Sequence, residues 1–220
     1  MNVFYLPSWY PSASNPLYGI FNYEQVRMVA HHNPEGRMGV AVWGQGDDPY
    51  LLWSGQPVRS LRKWIATSCE PSEVHEGNIR TYFSPQFIWT RKVRAGNLPA
   101  IIRAVEQSFL RFRQEVGEIQ IMHVMSAYPG ALIAGYLASK YSVPFVTTVH
   151  MSPFPFSEFL DKKGRMRPFL AKPLAGSARL LAVSRASERQ IRSHGFTKVD
   201  TLVNPVDDRF FSRVKNTRTA

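Results

Sequence analysis

A single cysteine, Cys69, stands in the 220 residues of this chain. It has no partner for an internal disulfide, and one thiol with scattered histidines excludes a cysteine-based zinc cluster. Cys69 lies in a polar stretch with no adjacent histidine, so it reads as an incidental thiol rather than a nucleophile. A reducing, cytoplasmic setting is the expectation. No apolar run approaches the ~18 residues needed to span a bilayer. Met1 leads straight into strand-like residues and Pro7 without a basic lead segment, so no signal peptide is predicted. Any membrane contact is expected to be peripheral, at the inner membrane face. Acidic residues are also scarce: 16 Asp and Glu against 27 Lys and Arg leave a net charge of +11. That surplus suits an anionic partner or a solvated basic surface.

Several nucleotide and nucleophile motifs are missing as well. The first loop, Pro7 to Gly19, holds one glycine, and Gly44-Gln-Gly46 follows a different strand, so the Gly-x-Gly-x-x-Gly fingerprint of dinucleotide binding is not met. No Gly-Lys-Ser/Thr sequence marks a phosphate loop, and no Gly-x-Ser-x-Gly elbow surrounds Ser184. NAD binding, P-loop hydrolysis and a serine-hydrolase triad are thereby set aside. Internal repeats and low-complexity segments are absent too.

What is present is a chain of alternating strand and helix patterns. Its 44% hydrophobic content supports one sizeable core, and its length is short for two full α/β domains. Val3 to Leu6 reads as a strand and Ile20 to His32 as a helix, with Phe21, Gln25, Met28 and His32 on one face and Ile20 and Val29 beside them. Arg37 to Trp43 and Ile79 to Phe83 read as strands, with no element assigned between Gly44 and Asn78. Leu98 to Val116 is the clearest helix: Leu98, Ile101, Ile102, Val105, Phe109, Phe112 and Val116 recur at helical spacing, Asn97 stands at the cap and Pro99 just inside. Ile119 to Val124, Phe145 to Val149, Ala178 to Val183 and Lys198 to Val203 read as strands. Pro129 to Tyr141, Arg165 to Gly176 and Arg185 to His194 read as helices. Such alternation predicts a Rossmann-like, doubly wound α/β domain: a mainly parallel sheet with helices on both faces.

Polar, Gly and Pro residues collect just after the strands, in Pro7 to Gly19, Ser126 to Gly130, His150 to Phe156 and Ser184-Arg185. In an open α/β sheet the ligand crevice lies outside the carboxyl ends of the strands. Gly19, directly before a helix, either lets a phosphate approach the helix amides or only supplies a positive φ. His150 either hydrogen-bonds a polar substrate or is satisfied by backbone, and the Pro/Phe-rich loop behind it suits an apolar wall or lid. His123, inside an apolar strand, reads as a core histidine. Ser184 reads as a helix cap or as a hydroxyl in the crevice. Basic clusters with nearby aromatics occur at Arg59 to Trp64, Arg91 to Arg94 and Lys162 to Lys172. They suit a membrane interface or solvated surface, and none forms a recognised nucleic-acid module.

These segments, taken in order, resemble the N-terminal half of a GT-B glycosyltransferase of family 4, a retaining family. The resemblance is carried by Tyr10-Pro-Ser through Asn15-Pro-x-x-Gly-Ile-Phe21 with Glu24-Gln25, Ile121-Met-His-Val through Tyr128-Pro-Gly, Val143-Pro-Phe-Val-x-Thr-x-His150, Leu181-Ala-Val-Ser184, and Thr201-Leu-Val-Asn-Pro-Val-Asp207 with Phe210-Phe211. It implies an acceptor-side domain over residues 1–207, the start of an interdomain linker over 208–220, and a second domain, not contained in this chain, that holds most of a nucleotide-diphosphate sugar. The isolated domain would then be inactive.

The resemblance further implies a catalytic His150 near the reacting sugar carbon, donor-phosphate proximity for Gly19, Ser184 and Arg185, and acceptor contacts from Asn15, Tyr18, Ser126, Tyr128 and Ser152. The nucleotide sugar would be a co-substrate, with no bound metal or other cofactor. The acceptor would be a glycan or a lipid-linked precursor, with no nucleic-acid partner. Two positions depart from the family pattern: Tyr18 precedes Gly19 where a second glycine is common, and Met125 takes the second place of a His-x-His pair. The alternative is a non-catalytic basic module that binds anionic polymer or membrane. An epimerase of similar fold would need acidic residues in the cleft, and these loops hold few.

Overall fold

The computed structural model describes residues 1–12, 15–43, 58–59, 61–62, 65, 72–84, 86 and 94–205. Gly44-Gln-Gly46, Cys69, Trp64, Trp89, Arg91, Phe210-Phe211 and the domain end and linker expected at 207–220 lie outside the described residues.

The strands are β1 (Val3–Pro7), β2 (Met38–Val42), β3 (Glu73–Glu76), β4 (Ile79–Phe83), β5 (Ile121–Met125), β6 (Phe145–Val149), β7 (Arg179–Ala182) and β8 (Val199–Thr201). The helices are α1 (Ile20–His32), α2 (Arg94–Val116), α3 (Gly130–Tyr141), α4 (Pro168–Ala175) and α5 (Arg185–Ser193). All strands join one 8-stranded sheet in the order β3-β4-β2-β1-β5-β6-β7-β8. Every neighbouring pair is parallel except β3 with β4. From β1 the chain builds outward through β2 to β4, then returns to the other side of β1 as β5. The order therefore reverses between β1 and β5, the position at whose carboxyl edge open sheets of this kind take ligands.

Every residue of β1 is buried, because helices cover both faces of the sheet. Val3 and Tyr5 pack with Met38, Val40 and the α1 residues Val26 and Ala30. Phe4 and Leu6 point the other way, into Phe109 and Phe112 of α2 and Ile133 and Leu137 of α3. Phe4 meets Phe109 edge-on, with ring centroids 5.3 Å apart. A further cluster joins Leu180 and Val199 to Leu170 and Leu174 of α4 and Ile191 of α5. The two threonines of β6 are both satisfied in this interior: Thr147 shares a 2.7 Å hydrogen bond with Ser177, and Thr148 one of 2.7 Å with His123.

Some expectations need correction. Helix α1 buries Asn22, Gln25, Val26 and Ala30, not the face through Phe21, Met28 and His32. Asn22 turns inward because its side-chain amide donates to the Trp9 carbonyl at 2.7 Å, a tertiary bond that periodicity of apolar residues cannot signal. Helix α2 begins at Arg94 rather than Leu98, and Asn97, expected as the cap, lies inside it with φ 65. Strand β3 lies in the stretch where the sequence predicts no element; it is an edge strand with the exposed Val74 as its one aliphatic residue, closed onto β4 by a turn with Gly77 at φ 59. The stretch from Arg165 is not helical until Pro168. Asp161 Oδ1 accepts from the backbone N–H groups of Lys163 and Arg165, making a turn, and Arg167 is held extended by the proline that follows it. A short 3₁₀ turn, Ser157–Phe159, precedes that turn. Ile119 lies before β5, which ends one residue later than expected, at Met125.

Candidate active site

Gly19 sets the geometry of the first loop. It stands at the N-cap of α1 with φ 67, and a Cβ there would lie 2.3 Å from both the carbonyl carbon and oxygen of Trp9. The position therefore needs glycine on two counts: a left-handed backbone and a close approach of another segment. The Asn22 bond to the same Trp9 carbonyl locks this approach. Trp9 then packs against Tyr18 and Phe21, both with ring centroids 6.1 Å away. Phe21 reaches across to His150, ring centroids 4.8 Å apart. Thus the loop after β1 and the loop after β6 meet through aromatic contact.

A cavity of about 440 Å³ opens beside His150. One wall is His150, Met151 and Ser152; the other is Val183, Ser184, Ala186, Ser187, Arg189, Gln190 and Ser193. Ser184 caps α5: its hydroxyl accepts from the Ser187 N–H at 3.1 Å. The hydroxyl oxygen of Ser187 and Nε2 of His150 are buried without a hydrogen-bond partner among the described residues. Burial pushes the His150 pKa down to about 4, so the ring is neutral at pH 7. Its two nitrogens then offer one donor and one acceptor. His123, one strand away on β5, is also lowered to about 4, first by burial and then by the proximity of His150. It bonds Thr148 and packs on Tyr5, as expected of a core histidine.

The site residues expected from sequence separate into groups. His150, Ser152 and Ser184 line the cavity; Gly19 does not, but it stands two residues before Phe21, which packs on His150. Arg185 is exposed on α5 but outside the cavity wall. Asn15 and Tyr18 lie in the first loop, Asn15 exposed and Tyr18 against Trp9. Ser126 sits at the carboxyl end of β5, with its hydroxyl buried and unpartnered among the described residues. Tyr128 packs on Phe159 and Phe169 and does not line the cavity. Met125, in the place of the second histidine, is buried beneath the first loop with Tyr5 and Tyr10.

The α5 face was missed. Ala186, Arg189, Gln190 and Ser193 follow at spacings of three and four, one face of a helix. That spacing is present in the sequence, but only the packing of α5 on β7 and β8, beside the loop after β6, shows which face meets the cavity.

No group of three or more His, Cys, Asp or Glu among the described residues could hold a metal. Among the same residues no helix is long and apolar enough to cross a membrane. No curated protein matches the chain. A solved structure of sucrose-phosphate synthase from Thermosynechococcus elongatus is similar in fold, with TM-score 0.54 at 13% identity over 94% of this chain and 90% of that one. The family model described as Glycosyltransferase Family 4 matches residues 45–210. That span takes in both cavity walls, including His150 and the Ser184 turn, and with the Rossmann-like sheet it establishes that the chain belongs to glycosyltransferase family 4.

Proposed function

We propose that this chain is the acceptor-side domain of a retaining glycosyltransferase that moves a hexosyl-type sugar from a nucleotide-diphosphate sugar to a glycan or lipid-linked acceptor. The domain spans residues 1–207, with a linker from 208 leading to a donor-binding domain. The observation that carries this reading is the neutral, unpartnered His150 Nε2 at the wall of a cavity on the carboxyl edge of the sheet.

With its pKa near 4, His150 is no proton reservoir at pH 7. It acts instead as a fixed hydrogen-bonding group toward the transferring sugar near its reacting carbon. Such preorganised dipoles stabilise developing charge without reorganising. The glycine at position 19 brings the loop after β1 close to the departing diphosphate, and Ser184 and Arg185 face it from α5. Asn15, Tyr18, Ser126, Tyr128 and Ser152 supply acceptor contacts, with Tyr128 acting through the Phe159 and Phe169 wall. The nucleotide sugar is a co-substrate, and the reading invokes no bound cofactor.

The exposed Lys162, Lys163 and Lys172 beside exposed Phe156 and Phe169 support peripheral contact with an anionic membrane face on the cytoplasmic side.

The test is sugar transfer by the full-length protein, with His150→Ala beside the parent. Loss of one preorganised group predicts a rate reduced by about 100-fold. A variant that transfers sugar at the parental rate removes His150 from the mechanism.

A further inference from the structure

We infer that the cavity beside His150 receives the anionic group, phosphate or carboxylate, of a charged sugar acceptor, and that Arg189 on α5 is the residue that selects it. This rests on the acceptor-side reading above and names the acceptor's chemistry.

The charge inventory of the wall is one-sided. Among the described residues Arg189 is its only Lys or Arg, and no Asp or Glu lines it. Neutral sugar hydroxyls need acceptors as much as donors, and the strongest acceptors, carboxylates, are missing here. The one carboxylate of α5, Glu188, is turned away and occupied: Arg192 Nε donates to it at 2.8 Å and the Thr201 hydroxyl at 2.6 Å. Arg192 is likewise committed, with its guanidinium also donating to the carbonyls of Thr197 and Val199. Arg189 is exposed and forms no ion pair among the described residues, so its fork is open to a ligand. Arg185 stands one turn earlier on α5, exposed, and adds to the positive potential of that helix.

Neutral donors converge on the same space. Ser187 has a buried hydroxyl oxygen with no partner among the described residues. Ser184 accepts from the Ser187 N–H and keeps its own proton for a ligand. Gln190 contributes an amide, and the unpartnered His150 Nε2 faces them from the opposite wall. A cavity of about 440 Å³ lies in the range that encloses small ligands. A guanidinium binds phosphate or carboxylate through two parallel N–H donors, which lysine cannot reproduce.

The experiment is an amide-resonance titration of the nitrogen-labelled protein with glucose 6-phosphate, glucuronate, glucose and UDP in parallel. Glucose 6-phosphate or glucuronate is expected to shift Ser187 and Arg189 with a Kd at least about fivefold below that of glucose. The preference should shrink at about 0.5 M salt and vanish in Arg189→Gln, an exposed position whose change leaves the fold intact. Glucose binding as tightly as the charged sugars would overturn the inference and leave the acceptor-side reading standing. Retained preference in Arg189→Gln would overturn the role of Arg189. Shifts with UDP but with no sugar would assign the cavity to the donor diphosphate that Ser184 and Arg185 are proposed to face, overturning the inference and leaving the proposed function standing.

Discussion

The rings of Phe21 and His150 lie with centroids 4.8 Å apart and planes inclined by 49°, so the first turn of α1 is packed directly on the end of β6. The contact couples the loop held by Gly19 to the cavity lined by His150. Changes at one should therefore be felt at the other, although Gly19 and His150 lie 131 positions apart in sequence.

Gly19→Ala is expected to destabilise the domain by about 2 to 4 kcal/mol. A left-handed non-glycine residue costs roughly 1–2 kcal/mol, and overlap with the Trp9 carbonyl adds the rest. Urea unfolding measures the loss, and the His150 ring resonances should move with it. An unchanged midpoint would mean that the Trp9 segment yields at no cost.

Stability should fall on acidification between pH 6.5 and 4. His123 and His150 are both held neutral, with folded pKa values near 4 against about 6.5 unfolded. In that window the unfolded chain binds more protons, so stability rises with pH and is lost as pH falls. For the fully buried His123 the loss is on the order of 2 kcal/mol by pH 5 relative to pH 7. Urea midpoints across this range should show a shallower slope for His123→Gln than for the parent. Equal slopes would place the acid sensitivity elsewhere.

Ser184→Ala should cost about 1 kcal/mol through loss of the α5 cap. Ser184→Asp should restore most of it, because a carboxylate also accepts from the Ser187 N–H. Thermal unfolding of the two variants separates capping from any role in substrate handling: activity restored together with stability assigns the effect to the cap alone.

Phe109→Ala should cost about 3 to 5 kcal/mol. The ring is fully buried, edge-on to Phe4 and stacked at 5.0 Å on Tyr141 of α3. Its removal would open a void between the sheet and two helices. Calorimetry showing a loss under 1 kcal/mol would mean that α2 collapses onto the sheet at little cost.

The sheet was legible in the sequence because its strands are continuous apolar runs and its longest helix repeats Ile101, Val105, Phe109 and Phe112 at helical spacing. Local physics sufficed there: buried parallel strands need apolar residues on both faces, and an amphipathic helix needs one apolar stripe. Edge strand β3 escaped notice because solvent on one side places little demand on its residues. The end of the sheet that carries the loops was also legible, since polar, Gly and Pro residues cluster after each strand.

What the tertiary structure alone decided is how those loops meet. Asn22 is buried because it binds Trp9, and His150 is neutral because Phe21 and the surrounding fold desolvate it. Arg189 faces a cavity because α5 packs beside the loop after β6. Each of these depends on distance and solvent exclusion between segments far apart in the chain, and neither quantity is written in the identity of a residue or its near neighbours.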